Sequence, residues 1–343
     1  MAYTTIPKSS AYFNTKLYTG NVSTNAITGV GFQPDITWLK ERDGTQDHYL
    51  YDAVRGVQNY LTPNLTTQEQ ANVTSLTAFN SDGFTLGSNT ATNANNGLFA
   101  SWNWKANGSG ATNTAGSINT TYTSANTTSG CSIITYTGNA TAGATIGHGL
   151  GIKPSMVIIK NLAGNDWIVY TQALTANKIL YLNATGAEND NSVFFNDTEP
   201  TDSLITLGSI SATNGSGAMI AYCFSDVQGY SKQGSYIGNG NANGTFNYTG
   251  FKPAFVLTKN SSSGGSNWRI FDNQRLGYNV NNATLYPNLT NAEADETSLD
   301  LLSNGFKMRG TTNDLNGSGQ TYVYMAFAEE PLVSTNGNAA TAR

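Results

Sequence analysis

Three stretches of this chain carry the same switch from polar to apolar positions. After a proline, apolar residues alternate or run together. They are Ile36 and Trp38 in GFQPDITWLK (31–40), Met156 to Ile159 in GIKPSMVIIK (151–160), and Phe255 to Leu257 in GFKPAFVLTK (250–259). Each stretch ends on a lysine six residues after its proline: Lys40, Lys160 and Lys259. A proline that opens a strand is tolerated because the first position needs no ladder donor. A turn rich in Gly, Asn, Ser and Asp follows (RDGTQD, NLAGND, NSSSGGSN), then an aromatic-rich strand (HYLYD, WIVYT, WRIFD). Each pair reads as a β-hairpin.

The anchors around these hairpins recur in a fixed order. Tyr18-Thr-Gly-Asn21 returns as Tyr136-Thr-Gly-Asn139 and Tyr236-Ile-Gly-Asn239, sixteen to eighteen residues before each proline. Each copy closes on an aromatic strand: LFASWNW (98–104), MIAYCF (219–224) and YVYMAF (322–327). From the lysine to the last aromatic is 64, 64 and 68 residues, that is 104−40, 224−160 and 327−259. Such self-similarity marks an internal triplication. Short strands with frequent turns predict an all-β chain of three tandem antiparallel β-sandwich repeats, jelly-roll or lectin-like. The expected domains are 1–110, 111–228 and 229–343, each with six or seven strands. First and last strands are expected side by side. Segment 106–130 is a linker, or at Ser117–Thr123 an added strand. Weak helical turns are expected near 67–78 and 290–302, and an exposed tail at 336–343.

The first and third copies share an extra feature. Asp52 and Arg55 are matched by Asp272 and Arg275, whereas the middle copy has neither. An Asp–Arg pair of this spacing is a candidate for pinning a loop or meeting a neighbouring subunit.

Composition narrows the function. Only 11% of residues are charged and the net charge is −5. No Lys/Arg cluster offers a footprint for nucleic acid or anionic membrane, so neither is expected as a partner. No apolar run approaches the roughly 18 residues of a spanning helix. The first residues lack a signal peptide's apolar core, so synthesis in the cytosol without Sec export is expected. Two cysteines, Cys131 and Cys223, rule out a disulfide framework and a Cys-based zinc site. They flank the first and last strands of the middle copy, so one bridge is open to them if those strands pair.

Candidate chemistry is thin. His48 stands near the positions of Trp167 and Trp268 in the other copies and reads as a packing residue, and His148 reads as an exposed loop residue. Neither sits in a triad or metal motif, and no carboxylate pair is singled out for glycosidase work, so no catalytic residue and no enzyme activity are expected. The loop from Glu41 to Asp47 carries oxygen ligands for Ca²⁺ but not EF-hand spacing, and reads as a hairpin turn. No metal and no cofactor are expected. Trp102, Trp104, Trp167, Trp268, Tyr49 and Tyr51 are candidates to stack on sugar faces, with core packing as the competing reading of aromatics in strands.

Several strings carry a likeness to a known group: DGTQDHYLYDAVRGVQNYLTPN, FNSDGFTLGSN, LFASWNWKANG, SIITYTGNATAGATIGHGLGIKP and YVYMAFAEEPLVSTNGNAATAR. They resemble repeat-containing virion structural proteins of marine tailed phages. The resemblance covers most of the chain and implies lectin-like sandwiches on a particle assembled in the host cytoplasm. It implies other virion proteins as partners, a homo-oligomer with a trimer favoured, and host-surface glycans as ligands of a tail fibre. A capsid decoration or head-fibre protein is the close alternative; a depolymerase or a secreted adhesin is further off. A surface rich in uncharged Asn, Thr and Ser suits seawater, because salt has little charge to screen.

Overall fold

The proline-led strands lie inside three antiparallel sheets in the computed structural model, which describes residues 3–275, 279–333, 336, 337 and 339. The first sheet runs Phe13–Thr19, Leu98–Trp104, Ile36–Glu41, Tyr49–Asp52. The third runs Ser231–Ile237, Thr321–Pro331, Phe251–Asn260, Arg269–Asp272. The second holds the same order in Cys131–Thr137, Ala218–Phe224, Met156–Asn161, Ile168–Thr171, and extends it at both edges. Tyr122–Asn126 is added on one side, and Lys178–Tyr181 with Asn189–Asp190 on the other. The fold is all-β. In each sheet the opening strand pairs with the closing aromatic strand, from Phe13↔Trp104, Cys131↔Phe224 and Ser231↔Phe327 onward.

A smaller sheet caps one face of each. The caps are Asn25–Thr28, Gly83–Leu86, Leu76–Asn80; then Thr145–Gly147, Leu204–Thr206; then Phe246–Tyr248, Gly305–Met308, Ala294–Leu302, Asn281–Thr284. Sheet and cap enclose an apolar core, such as Leu39, Tyr51 and Phe84 in the first lobe and Val256, Phe271 and Phe306 in the third. The opposite faces of the three sheets meet one another. Trp38, Trp102 and Trp104 from the first, Met156, Trp167 and Tyr222 from the second, and Phe255, Trp268 and Phe327 from the third belong to one continuous cluster. Phe13 stacks on Phe327 at 5.2 Å, and Trp104 meets Phe255 edge-on at 5.6 Å. This hub explains the unbroken apolar runs: Met156–Asn161 is buried at every position because both of its faces are covered.

The Tyr-x-Gly-Asn segments each lock against a distant loop. Tyr18, Tyr136 and Tyr236 donate their hydroxyls to the carbonyls of Thr92, Thr213 and Leu315. The following Asn21, Asn139 and Asn239 each give a backbone N–H, at 2.9 Å, to the side-chain oxygen of buried Asn93, Asn214 or Asn316. The intervening glycine is required by close approach. A Cβ on Gly20, Gly138 or Gly238 would lie 2.0, 2.1 or 2.3 Å from a carbonyl oxygen of that loop.

Several expectations shift. The segments 67–78 and 290–302 hold strands Gln70–Ala71, part of Leu76–Asn80, and Ala294–Leu302 instead of helical turns. The α-helices among the described residues are the short turns Thr90–Asn93 and Ser211–Asn214, which carry the buried Asn93 and Asn214. The added strand in the linker is Tyr122–Asn126, displaced toward the C-terminus from Ser117–Thr123. Of the expected tail, residues 338 and 340–343 lie outside the described residues. Cys131 and Cys223 are free and buried. Their strands do pair, but Cys131 points into the hub and Cys223 into the core beneath the cap. Side chains on opposite faces of a sheet cannot be bridged.

Candidate functional site: the seams between lobes and an open cleft

The six rings expected to meet sugars are inside the protein. Trp102, Trp104, Trp167, Trp268, Tyr49 and Tyr51 are all buried, so they offer no stacking face. The physical reason is the double covering of the sheets: a ring on either side of a strand is enclosed, by the cap or by the hub. Tyr49 and Tyr51 pack in the first lobe's core beneath its cap, while the four tryptophans lie in the hub and close the seams between lobes. Trp167 Nε1 donates to the Thr62 carbonyl of the first lobe at 3.1 Å, and Trp268 Nε1 to the Tyr181 carbonyl of the second at 2.8 Å. His48 completes the ring. Its Nδ1 accepts from Trp38 Nε1 at 2.9 Å, so Nε2 carries the hydrogen and donates to the Tyr286 carbonyl of the third lobe at 2.9 Å. Burial, with Lys40 nearby, pushes the imidazole well below its ordinary value and keeps it neutral. The backbone N–H groups of His48, Trp167 and Trp268 are each taken by an asparagine of the same lobe: Asn64, Asn183 and Asn288.

A second ring runs through the Asp–Arg pairs. Arg55 Nε donates to Asp52 Oδ2 at 2.6 Å, and Arg275 Nε to Asp272 Oδ2 at 2.6 Å. Each aspartate also takes the arginine's own backbone N–H on Oδ1, which fixes the loop. The same Oδ2 atoms receive a donor from another lobe: Tyr222 Oη to Asp52 at 2.7 Å, and Trp102 Nε1 to Asp272 at 2.9 Å. Burial would raise the Asp272 carboxyl, but the Arg275 guanidinium outweighs it and holds the group below its ordinary range. Strand register sets Met325 at the position of Trp102 and Tyr222, and Thr171 at the position of Asp52 and Asp272. The lobe without the aspartate therefore faces the lobe without the donor.

His148, expected on an exposed loop, is buried, with Nε2 3.3 Å from the Thr201 carbonyl. In the loop from Glu41 to Asp47 the Lys40 ammonium occupies the carbonyls of Glu41 and Gly44, at 2.7 and 3.1 Å. At the hub's centre a cavity of about 20 Å³ is lined by apolar and aromatic side chains, among them Trp38, Trp104 and Tyr222. It has room for about one water and none for a ligand.

The surface is different on the third lobe. A cleft of about 550 Å³ follows its outer strand Ser231–Ile237, between Gln172 of the second lobe and the cap strand Phe246–Tyr248. A second, of about 440 Å³, adjoins it and shares Asp226, Lys232 and Tyr248. Phe246 and Tyr248 are 44% and 50% exposed, while Asn247 between them points inward. Asp226 accepts the Gln233 backbone N–H at 2.8 Å and the Gln172 amide at 3.1 Å. Burial pushes its carboxyl up, against those hydrogen bonds and Lys232.

A family model for a domain of unknown function, DUF7483, matches residues 8–331. The chain belongs to the DUF7483 family. No curated protein and no solved structure matches it.

Sequence reasoning passed over the cleft of this DUF7483 chain. The signal was present: Phe246 and Tyr248 stand where register places Ala26 and Thr28 in the first lobe and Thr145 and Gly147 in the second. It also passed over the meaning of the terminal lysines. Lys40, Lys160 and Lys259 are buried and donate to backbone carbonyls, Lys160 to Asn165 and Lys259 to Asn260 at 2.8 Å. Burial lowers each from its ordinary 10.5 to about 8. Between those values the unfolded chain holds protons that the folded chain has released, so stability rises with pH there. Each lysine adds a slope of up to about 1.4 kcal/mol per pH unit. Urea unfolding should therefore show a midpoint that climbs from pH 8 to about pH 9. Above this the buried thiols, whose ordinary value is 9.0, begin to oppose the lysines. Above pH 10 the buried tyrosines do the same; burial lifts Tyr49 and Tyr286 from 10.0 to about 12. A midpoint that falls from pH 8 to 9 would contradict neutral lysines in these pockets.

Proposed function

We propose that the chain is a non-catalytic structural component of a tailed-phage particle, set on the tail as a fibre or adhesion part that meets host-surface glycans. The observation that carries this reading is the hub. Three sandwiches share one apolar cluster, so the chain is a single stiff block with its two Asp–Arg pairs and its tryptophans turned inward. A block of this kind holds its loops in fixed relative positions and suits assembly into a larger object. The resemblance of its strings to virion proteins of marine phages supplies the object. The sandwiches close on each other within one chain, so copies and other virion proteins would join through the outer edges of the lobes.

The test is imaging of intact particles decorated with antibody raised against this chain. Label at the tail is the expected outcome. Label spread over the head makes the chain a capsid decoration instead, and purified particles with no label and no peptide of this chain by mass spectrometry would remove it from the virion altogether.

A further inference from the structure

We propose that the open side of the third lobe accepts an extended, uncharged segment of a different polypeptide, which adds as a strand beside Phe246–Tyr248 and carries a polar residue between two apolar ones. The inference deepens the assembly reading above, because it names one outer edge through which the block joins a partner.

The first observation is a pair of unfinished sheet edges that face each other across the larger cleft. The Met308 N–H reaches the Thr245 carbonyl, so Thr245 and Asn247 turn their backbone toward Gly305–Met308, and Phe246 and Tyr248 turn theirs away. Among the described residues the N–H and C=O of Phe246 and of Tyr248 have no partner. On the main sheet, Ser231 exchanges backbone bonds with Val227, so Gln233, Ser235 and Ile237 also present their backbone outward. Gln233 is already blocked: Asp226 takes its N–H at 2.8 Å, and the Gln172 amide reaches its carbonyl at 3.4 Å. The Ile237 carbonyl takes the Thr245 hydroxyl at 2.7 Å. The N–H and C=O of Ser235, which lines the cleft, have no partner among the described residues. An unpaired edge is a template for a further strand, and proteins usually blunt it.

The second observation is how the chain finishes the same side of its second lobe. Register places Thr145, Ile146 and Gly147 at the positions of Phe246, Asn247 and Tyr248, and Thr135 at the position of Ser235. There, residues 117–126 cover both edges. Ile118 bridges Ile146 in parallel and gives its N–H to the Thr145 carbonyl at 2.9 Å. The chain then crosses to the main sheet, where Thr121 gives its N–H to the Thr135 carbonyl at 2.7 Å and Tyr122–Asn126 pairs with Cys131–Thr137. The third lobe has no such segment of its own, because residues 225–230 lead straight from Ala218–Phe224 into Ser231–Ile237. A parallel bridge at Asn247 calls for the Phe246 carbonyl as acceptor and the Tyr248 N–H as donor. Both are among the unpaired groups.

The third observation says what the added strand carries. Side chains paired across a bridge lie on one side of the sheet, and so Ile118 joins Ile146 in the second lobe's core. In the third lobe the inward position is Asn247, so the residue that bridges it is polar. The two residues flanking it lie beside Phe246 and Tyr248, whose exposed rings favour apolar partners. The first lobe holds Ala26 and Thr28 at those positions and offers no rings to cover. Asp226 and Lys232 both line the cleft and balance in charge, which favours an uncharged occupant. A strand added to an edge draws affinity from main-chain bonds and specificity from alternate side chains.

The probe is a fluorescein-labelled peptide of residues 115–124 carrying Ser117→Leu, Ile118→Asn and Asn119→Val, titrated by anisotropy with the purified full chain. Binding is expected. Phe246→Ala and Tyr248→Ala in the chain remove exposed rings, so circular dichroism should show the fold intact, and each should weaken binding roughly tenfold. The same peptide with Ile118→Pro in place of Ile118→Asn lacks the N–H meant for the Phe246 carbonyl and should not bind. Absence of binding overturns the proposal, as does binding indifferent to both ring variants or to the proline. Self-association of the parent chain that the ring variants lose would place a second copy on this edge and overturn the different polypeptide. Antibody labelling of particles reads location and not strand addition, so either reading can fail without the other.

Discussion

Asp272→Ala should cost about 3–5 kcal/mol of unfolding free energy, the usual penalty for leaving one member of a buried ion pair behind. Arg275 and Asp272 are both fully enclosed. Without the carboxylate, Arg275 keeps Glu293 at 3.1 Å and the Ile270 carbonyl at 2.8 Å, but its Nε loses its acceptor. The Trp102 indole N–H of the first lobe loses its acceptor in the same step, and so do the backbone N–H groups of Gln274 and Arg275. The chain contains its own control. At the corresponding seam, register sets Thr171 for the aspartate and Met325 for the ring donor, and Leu174 takes the place three residues on that Arg275 holds. The triple variant Asp272→Thr, Arg275→Leu, Trp102→Met rebuilds that seam. It should return to within about 1–2 kcal/mol of the parent, because removing a whole buried ionic set is far milder than breaking it. Glu293 keeps its two bonds from Arg42, at 2.9 and 3.0 Å, in that variant. Urea unfolding followed by circular dichroism decides. A single-variant loss below about 1 kcal/mol, or a triple variant no more stable than the single, would count against this account.

Much of the all-β architecture was legible because its causes are local. Proline at a strand start, a turn of small polar residues, and an aromatic closing strand each leave a mark at fixed spacing. The pairing of first and last strands could be read from the same anchors. What could not be read is which side of each strand faces what. A strand with one wet face alternates, but these central strands have none, so Trp102 and Trp104 look from the sequence like a surface ladder and are in fact hub. The same ambiguity hid the cysteines: Cys131 and Cys223 lie on paired strands, and only the parity of the register separates their faces. The two Asp–Arg pairs were visible as a spacing, yet their partners Tyr222 and Trp102 come from other lobes, 170 residues away in each case. Contacts of that separation leave no local pattern. The absence of the pair from the middle copy is matched by Met325 in the third lobe, so the two changes form one consistent uncharged seam.

Trp268→Ala should cost a similar amount, about 3–5 kcal/mol, by emptying a fully buried ring site. Trp268→Phe should cost less, about 1–3 kcal/mol, since it fills most of the volume but leaves the Tyr181 carbonyl with only the longer bond from the Ala184 N–H, at 3.4 Å. The shape of the transition matters as much as its position. If the lobes were separate domains, a cut at the seam between the second and third would let the third melt first, and unfolding would become biphasic. The hub argues otherwise. Its apolar residues form one cluster drawn from all three sheets, and the seam bonds run in a ring, from first lobe to third, third to second and second to first. Cutting one seam leaves the third lobe held by His48 and by Trp102 of the first. The loss is therefore shared by the whole block, and the variant should unfold in a single transition at lower denaturant. Coincident curves from circular dichroism and from fluorescence of the remaining tryptophans, all in the first two lobes, would bear this out. A biphasic curve by either probe would mean that the third lobe comes away alone, and that the hub is a contact between domains and not a common core.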